Sequence, residues 1–94
     1  MNFDAFQASV EQDMPPDKAG LALQALWHAA KGDWETAHKF AQDDKSQSGA
    51  WVHAYLHRVE GDLSNAEYWY RKVGRPQASN SLQEEWREIA TALL

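Results

Sequence analysis

The sequence predicts an all-α chain of six helices, and three observations carry the prediction. Apolar residues recur at helical spacing along most of its length. The pairs Gly32-Asp33 and Gly61-Asp62 each stop one such run and open the next. The two stretches around those pairs can be laid over one another at an offset of 29 residues, Ala25 on Ala54, His28 on His57, Gly32 on Gly61, Asp33 on Asp62 and Ala37 on Ala66. The clearest copy is Ala50 to Pro76, AWVHAYLHRVEGDLSNAEYWYRKVGRP, which reads as helix, tight corner, helix and a glycine-proline stop.

The first helix is short. Phe3, Phe6 and Val10 give it a narrow apolar stripe, and Met14-Pro15-Pro16 must end it, because the residue before a proline avoids helical geometry. From about Asp17 to Lys31 the residues Leu21, Ala22, Leu23, Ala25, Leu26, Trp27, Ala29 and Ala30 point nearly all round a second helix, which is therefore expected to be a buried one. Asp33 is placed to cap the third, whose apolar face is Trp34, Ala37, Phe40 and Ala41, with His38 among the residues covering the rest. Asp43 to Gly49, DDKSQSG, is polar and aperiodic and reads as a loop.

On the fourth helix, Ala50 to Glu60, the residues Trp51, Val52, Tyr55, Leu56 and Val59 sweep one arc, and His53, His57 and Glu60 share the opposite side. Leu63, Ala66, Trp69, Tyr70 and Val73 form the apolar face of the fifth helix; Tyr68 falls on its polar side with Ser64, Arg71 and Lys72. The last helix, SLQEEWREIATALL, opens on a Ser81 to Glu84 capping box and carries Leu82, Trp86, Ile89, Ala90 and Leu93 on one arc, which suits it to close the end of a helical stack. The acid pair Glu84-Glu85 reads as solvated.

With 94 residues, residues 1–94 are expected to form a single domain around one core. Five tryptophans are the compositional outlier, and point to a Trp-rich core or a Trp-rich binding surface. The formal net charge of −5 argues against nucleic acid and anionic membrane as partners. The absence of cysteine removes disulfides and thiolate chemistry, and fits a reducing compartment. Acidic residues stand in MNFDAFQASVEQD where a signal peptide needs basic ones, so a cytoplasmic location is expected. Gly32, Gly61 and Gly74 are helix stops rather than a phosphate-cradling loop, and neither a nucleophile elbow nor a Ser/His/Asp order appears. A non-enzymatic protein without cofactor is the expectation.

The Gly-Asp corner, the apolar or aromatic residue after it, the alanine three positions later, the following aromatic and the small residue seven positions before the glycine together resemble the tetratricopeptide repeat and its Sel1-like relatives over about Leu21 to Pro76. The spacing is shorter than the repeat's usual period of about 34 residues. His28 and His57 stand where the family usually has tyrosine. The stretch HAYLHRVEGDLSNAEYWYRKVG is also similar to that of short bacterial proteins. The resemblance implies two antiparallel helical hairpins flanked by an N-terminal helix and a C-terminal capping helix, and a protein-protein interaction module whose first-helix residues line the contact surface.

Trp51, Tyr55 and Arg58, aligned at spacings of four and three, are the contact residues this implies, for a protein or peptide partner or a second copy of the chain. Trp, Tyr and Arg are favoured interface anchors, although the continuity of Trp51 and Tyr55 with Val52 and Val59 suits a core equally well. Tyr68, Arg71 and Arg75 make a second candidate surface, for an acidic peptide or a phosphate-bearing ligand. His53, His57 and Glu60 offer an alternative of another class, a metal-binding protein or metal-dependent enzyme, since two imidazoles one turn apart with a carboxylate lie within reach of one ion. The recurrence of His28 at the place of His57 suits instead a packing histidine, hydrogen-bonded to the neighbouring helix and partly buried.

Overall fold

A computed structural model describes residues 1–94 and contains six helices and no strand: α1 (Phe3–Ser9), α2 (Leu21–Ala30), α3 (Trp34–Asp43), α4 (Gln47–Val59), α5 (Leu63–Lys72) and α6 (Leu82–Leu93). No helix is long and apolar enough to cross a membrane. α2 packs chiefly on α3, and α4 on α5, which is consistent with the two hairpins expected from the repeat; α1 lies on α6.

The two corners are built alike. Gly32 (φ +83°) and Gly61 (φ +86°) take the left-handed conformation, and the Asp after each accepts from a backbone N–H of the following helix, Thr36 or Asn65, at 3.2 Å. Behind each glycine the last carbonyls are satisfied in a Schellman pattern. Gly32 N–H donates to Ala29 O and Asp33 N–H to His28 O; Gly61 N–H donates to Arg58 O and Asp62 N–H to His57 O. The repeated histidines are therefore the residues whose carbonyls close the corner. Ser81 and Glu84 form the expected reciprocal cap of α6.

Three expectations about where the helices begin and which of them is buried need correction. α2 begins at Leu21 rather than near Asp17, since Lys18 is left-handed (φ 66°) and Gly20 is the extended cap. The helix buried all round is α4, not α2: every residue from Trp51 to His57 is buried, whereas Leu21 and Ala30 are exposed. α4 also starts inside the stretch read as a loop, because Ser46 caps it through Gly49 N–H and Gly49 lies against the Asp44 backbone.

The tryptophans explain the composition. Trp27 donates its indole N–H to Ser9 O (3.1 Å), Trp34 to Leu56 O (2.7 Å) and Trp86 to Leu26 O (2.8 Å), so each packs in or against the core and ties its helix to another element. Phe6 stacks on Trp86 and fastens α1 to α6. Glu85, expected in solvent, is 1% exposed. Its carboxylate accepts from the Tyr70 hydroxyl at 2.7 and 2.5 Å and from the Arg58 guanidinium at 2.9 Å, joining α4, α5 and α6. Such a carboxylate is tolerated inside because two donors replace the water it loses.

Candidate metal centre

The α3–α4 packing brings three imidazoles together. His38 reaches in from α3, one turn after Trp34, while His53 and His57 stand one turn apart on α4. One ring nitrogen from each lies within 4.8 Å of the other two. His38 Nε2 is 3.0 Å from His53 Nε2, and His57 Nδ1 is 2.7 Å from Glu60 Oε1. Indoles hold the cluster from both ends: Trp34 stacks on His38 at 4.7 Å between centroids, and Trp69 on His53 at 4.0 Å. His53 and His57 are buried, and His38 is half-buried.

Burial sets the protonation state. It pushes the His53 imidazole down to about 4, helped by His38, His57 and Lys72, because a charged ring there would lose its hydration beside other positive groups. His38 is lowered too, first by burial and then by His57, with Glu60 opposing. His53 is thus neutral at neutral pH, the form that ligates metal. The Glu60 carboxylate accepts from His57 Nδ1 at 2.7 Å, a carboxylate–histidine pair of the kind found behind many zinc ligands.

The distances suit a transition metal. Zinc–nitrogen bonds of about 2.0–2.1 Å in a tetrahedron put ligand nitrogens about 3.3 Å apart. The His38–His53 separation, 3.0 Å, is within a few tenths of an ångström of that, and the other spacings, all within 4.8 Å, would have to shorten by up to about 1.5 Å through side-chain rotation. Three imidazoles suit Zn²⁺, Ni²⁺ or Cu²⁺, and would leave a fourth position for water or another ligand. Glu60 bonds to His57, and with His57 and Asp62 it makes a second, more exposed group whose ligand atoms also lie within 4.8 Å of one another. Without an ion the cluster is also self-consistent, since no fully buried side-chain polar atom lacks a partner.

The other candidate residues are dispersed. Trp51 and Tyr55 are 6% and 7% exposed, which overturns their reading as an open contact surface: both belong to the core that α4 gathers around itself. Arg58 is turned inward to Glu85 and the Asn80 carbonyl. Arg75 lies flat on Trp51, 3.4 Å from the ring centroid, so it is not grouped with Tyr68. Tyr68 is 57% exposed, beside Lys72, and Arg71 pairs with Glu67 at the surface. His57 bonds to Glu60 in its own turn rather than to a neighbouring helix.

His38 is the residue that sequence reasoning missed. Its position at offset 29 is Glu67, so the repeat gives no signal for it, and on its own helix it falls among polar residues. Only its position one turn after Trp34, whose indole reaches across to α4, hints that it too faces that helix. The chain matches no protein-family model, and no curated protein or solved structure is significantly similar to it.

Proposed function

We propose that this chain is a metal-binding helical domain that holds one divalent transition-metal ion between His38, His53 and His57, with Glu60 orienting His57. The observation that supports it is the convergence of three imidazole nitrogens within 4.8 Å between the stacked indoles of Trp34 and Trp69. His53, buried and neutral, has no proton to lose before it ligates. This reading assigns no catalytic step to the protein.

Thermal unfolding with Zn²⁺, Ni²⁺ and Cu²⁺, each against EDTA, tests it. An ion at a hundredfold excess over its dissociation constant adds about 2.7 kcal/mol. For a chain of this size that is a rise of roughly 10–20 °C in melting temperature. Co²⁺ should give visible absorption bands that His38→Ala abolishes. No rise with any of the three metals removes the proposal, and so does an unchanged response in His38→Ala.

A second reading is favoured by the exposure of Tyr68. A half-exposed aromatic beside Lys72 on α5 suits contact with an acidic peptide, in a protein-interaction module of tetratricopeptide-like type. Affinity capture in which Tyr68→Ala retains every partner of the unmodified chain would count against it.

A further inference from the structure

On the side of α4 away from the histidines, a cleft of about 410 Å³ opens between α1, α2, α4 and α6. Val10, Ala30 and the Trp86 ring supply apolar wall; Gln7, Gln83 and Glu11 supply its polar part, and Tyr55 completes it. Tyr55 is more than nine-tenths buried, yet its hydroxyl makes no hydrogen bond within the chain. Every fully enclosed side-chain polar atom does have a partner, so this hydroxyl must reach accessible space. The cleft is the cavity whose wall Tyr55 forms. Tyr70, by contrast, spends its hydroxyl on Glu85.

We propose that this cleft binds a small uncharged organic molecule carrying a hydrogen-bond acceptor, which takes the Tyr55 O–H. The volume lies at the lower end of the range of about 300–1,000 Å³ typical of small-molecule sites. Apolar area with few polar groups is also the usual make-up of such sites. No lysine, arginine or histidine lines the cleft, and Glu11 is its one ion, so an anion would enter without compensation. Trp86 offers only its ring, because its N–H is committed to Leu26 O. Burial and the nearby Glu85 raise the Tyr55 phenol to about 12, so at neutral pH the group is a donor. A carbonyl beside a compact apolar body matches these walls. The gain over an apolar molecule of equal size is the hydrogen bond from the Tyr55 hydroxyl, made in place of one to water.

Titration of the 94-residue chain with acetanilide and with cyclohexanone, followed by amide and indole chemical shifts, tests the site independently of the metal centre. Saturable shifts are expected at Val10, Ala30, Tyr55 and the Trp86 indole, with benzoate at least tenfold weaker. Tyr55→Phe should weaken both neutral probes roughly three- to tenfold, the loss of one hydrogen bond. Should that variant fail to fold, Ala30→Leu, at an exposed wall position, should block binding by filling the cleft. The proposal is overturned if neither neutral probe gives saturable shifts, if benzoate binds as tightly, or if a folded Tyr55→Phe binds unchanged. Undiminished binding by Ala30→Leu overturns it as well.

Discussion

Acidification of the metal-free protein should unlock the histidine cluster, and the size of the effect follows from its burial. The His53 imidazole sits near 4 when folded and near 6.5 when unfolded. Between those values the unfolded chain binds more protons than the native one, so stability rises with pH across that window. The contribution is complete above about pH 6.5 and lost progressively as pH falls to 4. The full difference corresponds to at most about 3 kcal/mol. His38 acts in the same direction.

Against a total of roughly 5–15 kcal/mol for a domain, that is a large share. Urea unfolding followed by circular dichroism in EDTA, from pH 7.5 to 4, should show a loss of about 2–3 kcal/mol, mostly between pH 6.5 and 4.5. Carboxylates act lower. Asp33 and Glu84 are held below their usual values by hydrogen bonds to Thr36 and Ser81, so their contribution fades only beneath about pH 4.5. His53→Gln should flatten the slope whatever it does to absolute stability. A flat curve between pH 6.5 and 4.5, or an unaltered slope in His53→Gln, would refute the account of His53 as buried and neutral.

Three further outcomes concern the frame. Glu85→Ala should cost about 3–5 kcal/mol in urea unfolding, because it strands the Arg58 guanidinium and the Tyr70 hydroxyl together; a loss under 1 kcal/mol would show that water replaces the carboxylate. Gly61→Ala should cost about 1 kcal/mol through its left-handed backbone. Gly49→Ala should cost more, since its Cβ would lie 2.2 Å from the Asp44 carbonyl oxygen, and the order of the two melting temperatures checks this.

Features that reside in neighbouring residues were legible in the sequence; those made by distant ones were not. Gly-Asp corners and the Ser81 cap depend on a few consecutive residues, and each stands where its composition indicates. Two members of the histidine cluster could be seen because they share one turn of α4, while His38 arrives from another helix. Glu85 looked solvated beside Glu84, since the donors that permit its burial come from α4 and α5. Trp51 and Tyr55 were open to two readings because an aromatic anchor and a core aromatic have the same spacing. Ser46 to Gly49 misled in the other direction: serine and glycine suggest a loop, yet the serine is a cap and the glycine permits a close approach.

The placement of the indoles gives the molecule its own set of optical probes. Trp27 watches the α1–α2 seam, Trp34 the α3–α4 seam and Trp86 the α2–α6 seam, Trp51 lies under Arg75, and Trp69 faces His53. Variants keeping one tryptophan each would turn intrinsic emission into a map of which seam loosens first on heating, with no dye or label attached.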